Sequence, residues 1–101
     1  MLNVRRSYQV NLVGWISVRT IVETREFERQ RLVVMPDIRR FDEIMRGVYW
    51  ALSTRPEAFP AVSDGSNIHV LKTAEFTDVP PLRIFYIFDE STVHLLWIEL
   101  L

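Results

Sequence analysis

The C-terminal third constrains this chain most. Leu82 to Phe88 (LRIFYIF) and Val93 to Leu100 (VHLLWIEL) are rich in β-branched and aromatic residues, and only Asp89-Glu90-Ser91-Thr92 separates them. Such runs favour pleated backbone, and so short a connection makes them an antiparallel hairpin. Pro80 and Pro81 keep the first strand from starting before Leu82, because proline has no N–H for a ladder. Upstream, Ile68, Val70 and Leu71 suggest one more strand, ending before Asp78. The three make an antiparallel meander.

The segment ahead of the meander changes period. Val18 to Glu23 (VRTIVE) is β-branched and alternating, which predicts a strand. Thr24 then offers an N-cap hydroxyl, with Glu26 and Glu28 placed where carboxylates suit a helix dipole. That helix runs to about Val33 and is interrupted at Met35-Pro36-Asp37, because a residue before proline is pushed out of the helical region. Asp37 caps a second helix. There Ile38, Phe41, Ile44, Met45, Val48, Tyr49 and Leu52 recur at spacings of three and four, a single apolar stripe. The stripe ends near Ser53, and Pro56 and Pro60 prevent continuation. Two helices so closely joined are expected as an antiparallel pair. A long loop with turn chemistry at Asp64-Gly65 leads to the meander. The predicted fold class is therefore α+β with the order β-α-α-β-β-β.

A chain of 101 residues holds one core. Apolar residues make up 49% and charged residues 25%, which excludes intrinsic disorder. No apolar run approaches the roughly 20 residues that span a bilayer, and no apolar core follows Arg5-Arg6 as a secretory signal would require. There is no cysteine, so neither a disulfide framework nor thiolate chemistry is available. Cytoplasm is the expected location, without membrane contact. The net charge of −1 is unevenly spread: residues 1–55 hold ten arginines against six acids, and residues 56–101 hold Lys72 and Arg83 against seven acids. The basic half suits nucleic acid or an acidic protein, or is simply the solvated side of arginine-rich helices.

Both faces of the hairpin are apolar. Leu82, Ile84, Tyr86 and Phe88 lie on one face of their strand, and Phe85 and Ile87 lie with Arg83 on the other. A sheet open to water on one side alternates more cleanly, and two short helices cover one face only. The second face needs another cover. The favoured one is the N-terminal extension 1–17, through Leu12, Val13, Trp15 and Ile16. A second copy in a homodimer, or a partner chain, is the alternative. The domain proper is then 18–101.

The element order, the Arg55-Pro56-Glu57 loop after the second helix, Leu71-Lys72, Leu82-Arg83-Ile84-Phe85-Tyr86 and Asp89-Glu90 at the hairpin resemble the RelE/ParE superfamily of toxins. The resemblance covers Val18 to Leu101. It implies an antiparallel meander packed on a two-helix hairpin, and one half of a type II toxin–antitoxin pair, neutralised by an antitoxin protein that wraps it. RelE-like members cleave messenger RNA, usually on the ribosome, without metal or cofactor. ParE-like members bind DNA gyrase instead.

Cleavage of RNA through its 2′-hydroxyl needs a base for that hydroxyl, a cation for the charged phosphorane and an acid for the leaving oxygen. By the resemblance Arg83 is the phosphate-binding arginine, Lys72 a second basic group and Glu57 the base. The residues also have plainer roles: Arg83 as an ion-pair partner of Glu75, Asp78 or Glu99, Lys72 as a solvated lysine, and Glu57 as a loop carboxylate. RelE-like nucleases usually finish on a basic tail bearing His or Tyr. Here no lysine or arginine follows Arg83, and His94 lies inside the last strand. Trp50, Trp97 and Tyr86 suit a core or interface better than base stacking. Two function classes follow: a toxin with endoribonuclease activity, or a non-enzymatic interaction module that binds gyrase or dimerises on the same fold.

Overall fold

A computed structural model describes residues 4–8, 18–73 and 80–101. The elements are β1 (Val4–Tyr8), β2 (Thr20–Thr24), α1 (Arg25–Val34), α2 (Ile38–Thr54), a 3-10 turn at Pro56–Ala58, β3 (His69–Lys72), β4 (Leu82–Phe88) and β5 (Thr92–Leu100). The class is α+β, with two helices and a mixed sheet. No helix among the described residues is long and apolar enough to cross a membrane.

The strand order is β1-β2-β5-β4-β3. β3, β4 and β5 pair antiparallel, as a meander requires, but β2 lies parallel to β5. The sheet is therefore mixed rather than wholly antiparallel. The reason is topological: the two helices carry the chain from β2 to β3 at the far edge, and the meander then runs back until its last strand, β5, lies beside β2 in the same direction. The N-terminal extension supplies β1, an antiparallel edge strand on β2. Leu12, Val13, Trp15 and Ile16, the expected cover of the second face, lie outside the described residues.

Local chemistry sets the helix ends. The Thr24 hydroxyl accepts from the Phe27 N–H at 3.3 Å and donates to the Leu95 carbonyl at 2.7 Å, so one side chain starts α1 and ties it to β5. At the other end, buried Arg31 pairs with Glu28 at 2.6 Å and donates to the carbonyls of Met35 and Pro36. Its guanidinium also lies 5.7 Å from the Phe41 ring centroid. The carbonyls left over at the break before α2 are thus satisfied by a charged donor. Asp37 caps α2 through the N–H groups of Arg39 and Arg40.

One core lies between the helices and the sheet. Phe27 of α1 and Phe41, Met45, Tyr49 and Leu52 of α2 pack on Ile21, Leu71, Ile84, Tyr86, Leu95 and Ile98. Burying an aliphatic or aromatic side chain of this size is worth about 1.5–3 kcal/mol, so the α2 stripe fixes which sheet face is covered. Ile38, at the first position of α2, departs from that stripe and is 40% exposed. Glu23 is fully buried on the core side of β2 and accepts a hydrogen bond from the Tyr49 hydroxyl.

Candidate functional site

The face turned away from the helices is ordered by the pairing of β3, β4 and β5. Lys72 stands opposite Arg83, and Arg83 opposite Glu99, so three charged residues form one row across three strands. The next row is Val70, Phe85 and Trp97. A β-bulge creates this arrangement. Phe85 pairs with Trp97 whereas Tyr86 pairs with Leu95, which makes Leu96 the extra residue. Strict alternation from Val93 would have sent Trp97 and Glu99 toward the helices. The bulge turns them out and Ile98 in, where Ile98 is fully buried.

Within the charged row, an Arg83 Nη lies 2.8 Å from Glu99 Oε2, and the other carboxylate oxygen, Oε1, accepts from Trp97 Nε1 at 3.0 Å. Glu99 thus spans both neighbours. Both partners of the ion pair are 38% exposed, so screening leaves it worth roughly 0.2–1 kcal/mol. Arg83 Nε is buried with no acceptor among the described residues. Of the partners weighed from sequence, Glu99 is the one the structure pairs with Arg83, while Glu75 and Asp78 lie outside the described residues. Lys72 is exposed and forms no ion pair among the described residues.

Glu57 belongs elsewhere. It sits in the 3-10 turn next to Pro56, whose carbonyl accepts from the Tyr86 hydroxyl at 2.5 Å. Tyr86 is fully buried on the helix side of β4. Its phenol is pushed well above its ordinary pKa, first by burial and then by the charge of Glu57. The turn that carries Glu57 therefore lies on the helix side of β4, whereas Arg83 occupies a position of the opposite side, and Lys72, opposite it on the edge strand β3, also borders a groove beside α2. The structure brings Lys72 and Arg83 together and leaves Glu57 apart, so the three residues inferred from resemblance do not share one centre.

His94 pairs with Ile87, four residues from Arg83 along β4, or roughly 13 Å at strand rise. That separation is too great for both to act on one phosphate. His94 Nδ1 is buried without a partner among the described residues. His69, at the start of β3, instead bonds through Nδ1 to the Phe59 carbonyl at 2.6 Å, and its ring lies against Tyr86 and Phe88. It ties the long loop to the sheet. The hairpin turn is closed by Asp89, whose Oδ1 accepts from the N–H groups of Ser91 and Thr92, both at 2.8 Å. These backbone bonds hold its carboxyl below the usual range. Among the described residues, no three His, Asp or Glu side chains gather as metal ligands would.

Glu99 was among the partners weighed from sequence for Arg83, whereas Trp97, which bonds the same carboxylate, was missed. The available signal was the doublet Leu95-Leu96 in an otherwise alternating strand, where an extra residue can be inserted without breaking the apolar run. Compared with protein-family models, curated proteins and solved structures, the chain matches none.

Proposed function

We propose that this chain is a RelE/ParE-like toxin domain that acts by binding a macromolecule rather than by cutting RNA. The order of strand, two helices and meander, together with the Arg55-Pro56-Glu57 and Leu82–Tyr86 segments, supports the toxin-like assignment. One observation carries the choice of mode: the acid–base and phosphate groups are divided between the two faces of the sheet. A phosphorane-stabilising arginine needs a base and an acid within hydrogen-bond reach of the same phosphate. Here Arg83 faces Glu99, an anion that competes for the same guanidinium, and Glu57 is on the other side. In this account the partners are an antitoxin protein and a target of the gyrase class, in the cytoplasm and without a cofactor.

A specific observation favours the nuclease as second reading: Lys72 and Arg83 are adjacent on one face, a pair of cations suited to a polyphosphate backbone. Controlled expression in a bacterial host separates the two. Binding predicts growth arrest that persists in Arg83→Ala and in Lys72→Ala. Arrest relieved by either change selects the nuclease, and absence of arrest removes the toxin assignment altogether.

A further inference from the structure

Asp64-Gly65, in the loop ahead of β3, is the only place in the chain where an aspartate or asparagine precedes glycine. Every other aspartate and asparagine is followed by Val, Leu, Ile or Glu. The difference is steric. The backbone nitrogen of the next residue can attack a side-chain carboxyl and close a five-membered ring, and a glycine, having no Cβ, leaves that approach open. Both residues are exposed at the tip of a turn closed by one bond, from the Ser66 N–H to the Ser63 carbonyl at 3.1 Å. Gly65 holds φ at 79°, as glycine does at the third position of such a turn.

Neither reacting group is engaged. Among the described residues the Asp64 carboxyl has no hydrogen-bond or ion-pair partner, and the Gly65 N–H has no acceptor. Asp89 shows the opposite arrangement: three donors hold its Oδ1, the N–H groups of Ser91 and Thr92 at 2.8 Å and the Ser91 hydroxyl at 3.2 Å, and Glu90 follows it. The Asp64 loop also has a structural task, because it joins residues 60–62 to β3. The Val62 N–H donates to the Ile68 carbonyl at 2.9 Å and the Val70 N–H to the Pro60 carbonyl at 3.0 Å. Ala61 bridges to His69, so this arm lies along the outer side of the edge strand.

We propose that Asp64-Gly65 is a site of spontaneous modification, where aspartate converts to isoaspartate and residues 60–62 loosen from β3. The Gly65 nitrogen attacks Cγ of the protonated Asp64 carboxyl. The N–Cγ bond forms, the Cγ–OH bond breaks, and the hydroxide leaves with the proton of that nitrogen as water. The resulting succinimide takes up water at the main-chain carbonyl of Asp64, and the bond from that carbon to the Gly65 nitrogen breaks. The chain then runs through Cβ and Cγ of residue 64, one carbon longer, with a free carboxylate on Cα. A turn lengthened in this way loses the Ser66–Ser63 bond, and the Val62–Ile68 bond is the next to open. The proposal does not depend on the toxin-like assignment, since the chemistry belongs to the loop alone.

The test stores the purified full chain at about pH 5, where part of an exposed carboxyl is protonated. Samples taken over time are digested with a protease that cuts before aspartate but not before isoaspartate, and are weighed by mass spectrometry. The expected result is progressive loss of the cut at Asp64, with a transient peptide lighter by one water, while the cut at Asp89 persists. Asp64→Glu, which would have to close a six-membered ring, should give no lighter peptide spanning residue 64. By NMR, the Val62 amide should exchange faster with solvent in the converted protein, while the Ile84 amide in β4 keeps its protection. Loss of the Asp64 cut no faster than that at Asp89, a lighter peptide that persists in Asp64→Glu, or unchanged Val62 exchange after conversion would each overturn the proposal.

Discussion

Replacing Tyr86 with phenylalanine removes one oxygen from the centre of the molecule and tests how the Pro56–Ala58 turn is held. The hydroxyl donates to the Pro56 carbonyl at 2.5 Å, Tyr86 is fully buried, and Pro56 is buried as well. The substitution loses a net hydrogen bond and leaves a buried acceptor without its donor. These effects sum to about 2 kcal/mol. In a chain of this length that corresponds to a fall in Tm of about 10 °C. The ring remains, so packing against His69 and Phe88 is kept. A pH arm isolates the hydroxyl itself. The folded-state pKa of Tyr86 is raised, so its stabilising contribution is complete below the unfolded value of about 10 and disappears as pH rises through the folded value. The wild type should therefore lose stability above about pH 10 more steeply than Tyr86→Phe. Urea denaturation from pH 7 to 11 gives both quantities. A loss under about 0.5 kcal/mol at pH 7, or identical alkaline slopes, would show that the hydroxyl is not anchoring this turn.

Three further outcomes are expected. Thr24→Ala removes the α1 cap and the buried bond to the Leu95 carbonyl together, costing about 2 kcal/mol, while Thr24→Ser retains most of it; thermal melting of the pair measures the difference. Glu99→Gln frees Arg83 and changes stability by less than about 1 kcal/mol, yet it should strengthen binding to single-stranded RNA in low-salt filter assays, since it removes the anion competing for Arg83. For Asp89 the folded carboxyl pKa is lowered, so its contribution is present above the ordinary carboxylate range and lost as pH falls through the folded value. Asp89→Asn should flatten the acid limb of a plot of Tm against pH; an unchanged limb would show that the turn does not depend on the charge.

Local signals were readable where one residue determines one event. Thr24 and Asp37 cap the helices they precede, Pro36 separates them, and the four residues after Phe88 close the hairpin. Features that depend on pairing across long sequence separation were not readable. Nothing local in Thr20–Thr24 distinguishes a parallel from an antiparallel neighbour, and β5 is some seventy residues away. The bulge at Leu96 is a choice between near-equal apolar registers, decided by burying Ile98 rather than Trp97 in the core. That single insertion puts Glu99 beside Arg83 and so determines the character of the site. Glu57 follows the same logic: its position after two helices is evident from sequence, but its side of the sheet depends on the Tyr86 anchor. Glu23 ends a β-branched strand as an exposed acid would, yet it is buried against Tyr49, because β2 lies inside the sheet between β1 and β5.

The proposed binding mode depends most on the separation of Arg83 and Glu57 across the sheet. Its direct test is cleavage of messenger RNA, free and on translating ribosomes, by the purified wild type and Arg83→Ala, with the ends mapped at nucleotide resolution. The expected result is intact RNA with both proteins. New 2′,3′-cyclic phosphate ends produced by the wild type and absent with Arg83→Ala would contradict it.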